Sequence, residues 1–308
     1  MIDLRRLQVL RAVHHHGTVT AAAATLHLTP SAVSHHLREL ARELKISLTE
    51  PQGRGIRLTP GALLVVEHSD ALLARWEEAR SALESYRAGD GGLLRMCGFP
   101  TAVSGLLAPT CALLRRDHPD LSVRVSECEV VEAFDLLLAN EADLVLVSPT
   151  DGGPSPSDAR FDQRPLMKEP LDLLVPAGHQ LTLAGSIGLA DGAAETWVLP
   201  APGTCDHHQR VMVHCAVAGF TPSIGHHATE WTAISALVAH GLGISLIPRL
   251  AELPGEHAVV RLPLTVEPVP SRQILSCVRR GSRDHPLIKR GLSALQEVID
   301  ARQSLAVA

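Results

Sequence analysis

The hydrophobic periodicity of the chain changes once, close to the glycine-rich segment at residues 89–92. Before this segment, apolar residues recur every three or four positions, which is typical of amphipathic helices. After it, short apolar runs alternate with helical stretches, which favours an open α/β sheet over a sandwich or a helical bundle. The sequence therefore predicts a helical N-terminal part followed by an α/β C-terminal part.

The composition agrees with a globular protein of more than one domain. The chain has 308 residues, of which 45% are hydrophobic and 20% are charged, so wholesale disorder is excluded. Apolar stretches long enough for a membrane helix and an N-terminal signal sequence are both absent, so we expect a cytoplasmic protein without a membrane partner. The six cysteines form no CxxC pair, which indicates reduced and mostly buried thiols.

Charge separates the N-terminal sixty residues from the rest. Residues 1–60 hold eight Lys/Arg and four Asp/Glu, a balance of +4, whereas residues 61–308 are at −9. Six of the seventeen histidines also lie in this N-terminal segment. A basic segment attached to an acidic body indicates that the segment contacts a polyanion.

Three threonines mark predicted helix starts in this basic segment. Thr18 precedes an alanine-rich helix, and Thr29-Pro30 and Thr59-Pro60 each combine a capping hydroxyl with proline at the first helical position. The helix from Pro30 to about Leu44 has one apolar stripe and one polar stripe. Two short helices joined by a tight turn, the second polar outward, form a helix-turn-helix. A plain helical bundle with a solvated face is the alternative.

We predict that the polar stripe enters the major groove of DNA, because small hydroxyls and a longer cation can hydrogen-bond base edges there. A glycine-flanked basic hairpin at residues 52–58 follows, and it suits a wing that lies along phosphates. The predicted DNA-binding residues are Thr29, Pro30, Ser31, Ser34, His35, Arg38, Arg54 and Arg57.

The helix that begins near Pro60 is predicted to run to about Ala88, roughly 40 Å. Its apolar positions follow a loose alternation of three and four, which favours dimerisation over packing on its own chain. The seam residues are Ala62, Val66, Ser69, Leu73, Trp76 and Leu83. We predict three parts: residues 1–60 bind DNA, 61–92 form the linker helix and hinge, and 93–308 form two α/β lobes. Lobe I is expected at about 93–163 and 268–308, and lobe II at about 164–267.

Five stretches of the chain resemble LysR-type transcriptional regulators, in order and with the right spacing. They are AAAATLHLTPSAVSHHLREL, RGIRLTPGA, HPDLSVRVSECEVVEAFDLLLANEADLVLV, AGFTPSI and LVAHGLGISLIP. The resemblance implies a winged helix-turn-helix, a dimerising linker helix and a periplasmic-binding-protein-like sensor of two lobes. It further implies a homodimer or homotetramer that binds double-stranded promoter DNA at an interrupted palindrome and contacts RNA polymerase. A small-molecule effector between the lobes would modulate this binding.

The chain departs from the pattern of this family at three places. Lys45 stands where the family usually has glycine, and Leu48-Thr49-Glu50-Pro51 replaces the usual Leu-Phe-x-Arg segment. The buried aromatic residue and one phosphate-binding arginine of the family are therefore missing. His35 stands where arginine is most common.

In a two-lobed binding fold, ligand groups come from loops at the carboxyl ends of strands and from helix N-termini. Small hydroxyls there suit a carboxylate-bearing effector, and an indole can stack on a ring. The alternative for each hydroxyl is an ordinary helix N-cap. The predicted effector-binding residues are Thr101, Ser104, Ser148, Gly203, Thr204, Thr229 and Trp231.

Other functions have weaker support. Cys205 and Cys215 lie where peroxide-sensing members of the family keep a reactive pair, so a redox-sensing regulator is an alternative. The helix N-terminus near Cys205 favours the thiolate form of this cysteine. An α/β metabolite-processing enzyme leaves the basic module unexplained, and motifs such as GxSxG or HExxH are absent. Adjacent histidines on a helix are expected to point apart, so we predict no metal ligands. Because the motifs of enzymes are absent, we also predict no cofactor and no catalytic residue.

His35 leads to a pH prediction, because a histidine side chain changes charge near neutral pH. DNA affinity should fall between pH 6 and 8 more steeply than salt effects explain, and His35→Gln should flatten this slope. Fluorescence anisotropy with a labelled duplex at constant ionic strength measures it. An unchanged slope in the variant would refute the role of His35.

Overall fold

A computed structural model describes residues 3–53, 55–86, 91–150 and 152–307. The chain begins with three helices, α1 (Leu4–His16), α2 (Val19–Thr25) and α3 (Pro30–Leu44). An antiparallel hairpin of β1 (Thr49–Gln52) and β2 (Gly55–Leu58) follows. The predicted helix-turn-helix with its wing is therefore confirmed, while Arg54 in the wing lies outside the described residues.

Side-chain caps fix where the N-terminal helices begin. The hydroxyls of Thr18, Thr29 and Thr59 each accept a hydrogen bond from the backbone N–H three residues later, at 3.1, 3.2 and 3.1 Å. The first helix ends at Gly17, whose φ of 71° is left-handed. Each predicted start is thus confirmed, because a capping oxygen satisfies a donor that the helix itself leaves free.

The N-terminal domain closes on one apolar core. Val33, Leu37 and Leu40 of α3 are buried there with residues of α1, and Leu44 is partly buried. Lys45 ends α3 in the left-handed region, with φ of 55°. A non-glycine residue there costs about 1 kcal/mol, which explains why glycine is the usual choice at this position. Leu48 is buried in the same core, and Thr49 at the position of the missing aromatic residue is half-buried.

Helix α4 (Pro60–Tyr86) packs on its own chain through part of the predicted seam. Its buried residues include Ala62, Val66, Ser69 and Leu73. Four residues of the predicted dimer seam are thus covered by the same chain, whereas Trp76 and Leu83 of that seam are 48% and 57% exposed. Glu77 and Ser81 continue the buried side instead, one helical turn apart.

The C-terminal half of α4 is attached to the α/β body at close range. A Cβ atom on Gly281 would lie 2.2 Å from the carbonyl oxygen of Ala74, and the φ of Gly281 is 87°. The Ser81 hydroxyl donates to the carbonyl oxygen of Gly281 at 3.4 Å. Arg279 Nε lies 3.6 Å from Glu77 Oε2. Only glycine fits this contact, so the linker helix and the body meet backbone to backbone.

The body contains nine further strands and six further α-helices within the described ranges. The strands are β3 (Gly92–Gly98), β4 (Leu121–Glu127), β5 (Leu144–Val147), β6 (Phe161–Pro176), β7 (Thr196–Leu199), β8 (Ser223–His227), β9 (Ser245–Pro248), β10 (Val259–Pro263) and β11 (Ser271–Arg279). The helices are α5 (Pro100–Ala102), α6 (Ala108–Asp117), α7 (Val130–Leu138), α8 (Asp206–Val217), α9 (Trp231–Ala239) and α10 (Pro286–Val307). A π-helical turn, Val103–Leu107, joins α5 to α6.

Strand β6 is shared by two groups of strands. Its residues 161–170 pair with β11, which continues through β5 and β3 to β4. Its residues 171–176 pair with β9 and β10. Two α/β groups thus meet along β6, which confirms the predicted α/β class; the exact lobe limits remain a prediction.

The short apolar runs that predict strands are LLRMCGF, LSVRVSEC, ADLVLVS, LDLLVP, TWVLP, GISLIP and ILSCVRR, and three strand segments lie outside them. They are the first half of β6, β8 and β10, and their sequences are FDQRPLMKEP, SIGHH and VVRLP. Charged, histidine and proline residues interrupt them, so apolar periodicity does not reveal them. In the described ranges, no helix is both long and apolar enough to span a membrane.

Candidate DNA-binding surface and effector cleft

The predicted recognition surface lies on one side of α3. Thr29, Pro30, Ser31, His35 and Arg38 are exposed, and Ser34 is half-buried. The hydroxyls of Thr29 and Ser31 lie 2.9 Å apart, and Ser34 Oγ donates to the carbonyl oxygen of Pro30 at 2.9 Å. The first turn of α3 thus carries a cluster of small hydroxyls, and the longer side chains of His35 and Arg38 follow one to two turns further along the helix.

The cations near this surface differ in whether they are already paired. Among the residues that the structure describes, Arg38 has no carboxylate within 4.0 Å, whereas Arg42 is paired with Glu39. Arg57 Nε in the wing donates to Glu50 Oε1 at 2.8 Å. Arg38 is therefore available to an incoming phosphate or base, while Arg57 has to leave Glu50 first.

Two of the predicted effector residues accept hydrogen bonds from arginines. Thr101 follows β3 and is 4% exposed; its hydroxyl accepts from Arg272 Nη2 at 2.6 Å. Ser148 follows β5 and is buried; its hydroxyl accepts from Arg210 Nη2 at 2.9 Å. Arg210 lies on α8, which belongs to the other group of strands, so the bond to Ser148 crosses between the two groups.

The other predicted effector residues are not joined to this pair by hydrogen bonds between their side chains. Ser104 is exposed, with Oγ 3.5 Å from the carbonyl oxygen of Thr101. Gly203, Thr204 and Thr229 are exposed as well, and Thr204 Oγ1 donates to the Ala201 carbonyl at 2.6 Å. The residues at the N-caps of α8 and α9 are Cys205 and Glu230, so neither threonine serves as the cap that the alternative required.

His207 is a buried residue of this region that the sequence analysis did not select. Its Nε2–H donates to the Leu246 carbonyl at 2.8 Å, and its ring packs edge-on against Trp231, with centroids 4.9 Å apart. Its Nδ1 is buried without a hydrogen-bond partner in the described part of the chain. Burial lowers the pKa of His207 to about 4, and the charges of Arg272 and Arg210 act in the same direction. The neutral ring of His207 thus has an acceptor atom, Nδ1, to which no described residue donates.

A buried ion pair fixes Arg272 beside Thr101. Arg272 Nε donates to Glu169 Oε2 at 2.6 Å, and the backbone N–H of Leu250 donates to Glu169 Oε1 at 2.6 Å. The guanidinium also lies 4.6 Å from the ring centroid of Phe99. The sequence gives one signal for this pair: Glu169 on β6 and Arg272 on β11 each stand just before an apolar run. A charged residue at that place is normally interpreted as the exposed end of a strand, so the buried pair was not predicted.

The cysteines of the redox alternative are not activated in this structure. Cys205 is at the N-cap of α8, but burial raises the pKa of its thiol despite the backbone N–H groups of His207 and His208. Cys215 is fully buried, and burial raises its pKa to about 12. In this structure burial therefore opposes the thiolate form that the helix N-terminus favours. Ten helical positions, roughly 15 Å, exceed the reach of a disulfide, so α8 would have to unfold before the two thiols could meet.

A helix-turn-helix with a wing, a long linker helix and an α/β body of two groups of strands are together typical of a DNA-binding transcriptional regulator. Residues 4–63 match the family model of the bacterial regulatory helix-turn-helix protein, lysR family. Residues 87–300 match the LysR substrate binding domain. The chain belongs to the LysR family of transcriptional regulators, and it is a DNA-binding regulator with an effector-binding domain.

Curated relatives and a solved structure agree with this assignment. The chain is 31% identical over 287 residues to the RuBisCO operon transcriptional regulator of Allochromatium vinosum, covering 92% of each chain. It is 28% identical over 303 residues to the dual regulator OxyR of Escherichia coli, covering 98% of this chain and 96% of the relative. A full-length OxyR variant from Pseudomonas aeruginosa has the same fold, with a TM-score of 0.63, 22% identity and coverage of 96% and 95%. The relatives named here are regulators rather than enzymes.

The lowered pKa of His207 predicts a pH-dependent loss of stability. In the unfolded chain an ordinary histidine binds a proton near pH 6.5, whereas folded His207 does so only near pH 4. The unfolded state therefore gains protons first, and the free energy of unfolding falls as pH drops from about 6.5 to 4, by on the order of 3 kcal/mol. Urea unfolding at several pH values measures it.

His207→Gln should remove this contribution while keeping a donor for the Leu246 carbonyl. His208→Gln is the matched control, since His208 is only partly buried and its Nδ1 is bonded to the Pro200 carbonyl. If H207Q and H208Q lose stability equally on acidification, His207 is not the responsible group.

Proposed function

We propose that this regulator binds an interrupted palindrome in promoter DNA through α3 and senses a carboxylate-bearing effector between its lobes. The proposal keeps the division into residues 1–60, 61–92 and 93–308. The observation that carries it is the Arg210–Ser148 bond, which joins the two groups of strands through a cation and a hydroxyl at 2.9 Å. The regulator acts in the bacterial cytoplasm as a homodimer or homotetramer and passes its response to RNA polymerase.

The DNA-binding half of the proposal depends on exposed side chains with a free hydrogen-bonding group. Arg38 lies two turns along α3 from the hydroxyls of Thr29 and Ser31, so the cation and the hydroxyls can reach different positions of one half-site. His35 lies between them on the same side. Arg57 lies on the wing and supports backbone contact once Glu50 is displaced.

Arg38→Ala should weaken specific DNA binding by about 1–3 kcal/mol if the arginine contacts a base. Selection from a random duplex library supplies the binding site, and anisotropy over a salt series supplies affinity and slope. Arg116→Ala is the matched control, because Arg116 is an exposed arginine far along the chain on α6. Equal affinities of R38A and R116A on the selected site would contradict the proposed role of α3.

The effector half of the proposal depends on Arg210, Ser148 and His207. Arg210 Nη2 also donates to Asp206 Oδ2 at 2.6 Å, so a ligand carboxylate can take the place of Asp206 on the guanidinium. Arginine binds carboxylates through two parallel hydrogen bonds, which gives orientation as well as affinity. The unpaired Nδ1 of His207 offers an acceptor for a ligand hydroxyl or N–H nearby. Trp231 packs on His207 and supplies an apolar side.

A carboxylate that binds only the folded cleft should raise the melting temperature of the chain. The probes are acetate, benzoate, succinate and 2-oxoglutarate, each compared with an uncharged analogue. Arg210→Ala should abolish the shift, and Arg164→Ala, an exposed arginine on β6, should keep it. A shift that survives in R210A, or that uncharged analogues reproduce, would contradict carboxylate binding at Arg210.

Dimerisation is supported by a second apolar stripe on α4. Leu64, Leu72, Trp76 and Leu83 are spaced by seven, eight or four positions, and each is 48–57% exposed. The buried side of α4 already packs on the same chain, so this stripe is available to a second copy. Two copies related by a two-fold axis match the symmetry of a palindromic site.

Leu72→Glu should shift the protein from dimer to monomer, because it places a charge in the centre of the stripe. Sedimentation equilibrium at several concentrations measures the association. Leu183→Glu is the matched control, since Leu183 is 89% exposed outside α4. A dimer of unchanged strength in L72E would exclude this stripe as the interface.

A further inference from the structure

We propose that His15, His16 and Asp135 form a binding site for a divalent transition metal such as Zn²⁺. The two histidines lie in the last turn of α1, in the DNA-binding domain, and Asp135 lies on α7 of the α/β body. The site therefore bridges two parts of the molecule. It is separate from the effector cleft and from the recognition surface of α3.

The donor atoms are close enough for one ion. His16 Nε2 lies 3.5 Å and His15 Nε2 lies 3.9 Å from Asp135 Oδ1, and the three ligand atoms are all within 4.8 Å of one another. Zinc bonds of about 2.0–2.1 Å in a tetrahedron hold ligand atoms roughly 3.4 Å apart. Side-chain rotations that bring the donors about an ångström closer thus complete the geometry.

The state of these atoms also points to a cation. His16 Nε2 and Asp135 Oδ1 are buried, and neither has a hydrogen-bond partner among the described residues. A buried polar atom without a partner costs free energy, and a shared metal ion removes that cost for both atoms. Adjacent histidines on a helix were expected to point apart. That expectation is wrong here, because the rings of His15 and His16 are in edge-to-face contact, 4.8 Å between centroids.

The chemistry of the donor set selects the class of ion. Two imidazole nitrogens and one carboxylate oxygen suit Zn²⁺, Co²⁺, Ni²⁺ or Cu²⁺ better than Mg²⁺ or Ca²⁺, which prefer oxygen ligands only. Three protein donors leave a further position open for water. The nearby guanidinium of Arg160 is paired with Asp158 at 2.7 Å, and the carboxylate of Asp158 acts against the positive charge of Arg160 at His15.

A metal ion at this site would hold α1 against α7. A second contact joins the DNA-binding domain to the α/β body nearby: His27 Nε2 lies 2.8 Å from Glu141 Oε1. An ion that binds only when α1 and α7 are in contact increases the population of molecules with this contact. The ion would thereby stabilise the described orientation of the DNA-binding domain on the body, independently of any ligand in the effector cleft.

The test uses the full-length chain without an affinity tag, after treatment with a chelator. Co²⁺ alone is titrated as the probe, since its visible absorption reports low-coordinate nitrogen and oxygen ligation, and Zn²⁺ is then used to displace it. We expect one ion per chain. Asp135→Asn and His16→Gln should each weaken binding by at least about tenfold. His14→Gln, in the same histidine run but outside the ligand set, should bind like the parent chain.

Thermal unfolding followed by circular dichroism provides the second measurement. The metal should raise the melting temperature of the parent chain and H14Q but not of D135N, and the metal-free proteins should melt alike if the variants are folded. The absence of saturable Co²⁺ binding in the parent chain would overturn the site. Equal weakening by H14Q and H16Q, or full binding in D135N, would overturn it as well.

Discussion

The antiparallel pairing of β6 with β11 is the constraint on which the rest of the body depends. The register runs from Ser271 opposite Pro170 to Arg279 opposite Phe161. Strand β6 continues beyond this register to pair with β9 and β10, so it joins the two groups of strands. Arg272 lies opposite Glu169 near one end, where the ion pair supports Thr101. Arg279 at the other end reaches the linker helix. One strand pair therefore connects the buried ion pair beside Thr101 with the linker helix that precedes the body.

The charged side chains at the Arg279 end of this strand pair are joined by ion pairs and hydrogen bonds. Arg279 Nη2 donates to Asp143 Oδ1 at 3.2 Å, and Asp143 also accepts from the side chain and backbone of Arg95. These arginines hold the pKa of Asp143 below its usual value against the effect of burial. Removing one partner of such a buried pair leaves an unpaired charge, at about 3–5 kcal/mol. Burial of this kind fixes orientation more than it adds net stability.

Local patterns predicted the N-terminal domain well, because its helix starts depend on neighbouring residues alone: a threonine, a proline and the next backbone N–H groups. The contacts of the proposed effector residues could not be predicted. Thr101 and Ser148 were selected because they follow apolar strands, but their partners Arg272 and Arg210 come from segments 171 and 62 residues away, and no local pattern joins them. The cluster of His15, His16 and Asp135 was not predicted for the same reason, since Asp135 is distant in sequence from the histidines of α1. Leu64 and Leu72 of the exposed stripe on α4 were not predicted, and Trp76 and Leu83 were grouped with residues that the same chain buries. Spacing alone does not tell which side of a long helix its own chain covers.

The contact between Gly281 and the carbonyl of Ala74 has a mechanical consequence. With no room for a methyl group between the two backbones, α4 cannot slide along the body, and a rotation of the body tilts the helix with it. The contact lies near the middle of a 27-residue helix, about 20 Å from its first turn. Each degree of tilt then displaces the attached DNA-binding domain by roughly 0.4 Å at that radius. A few degrees are enough to displace the recognition helix α3 by more than the tolerance of a hydrogen bond.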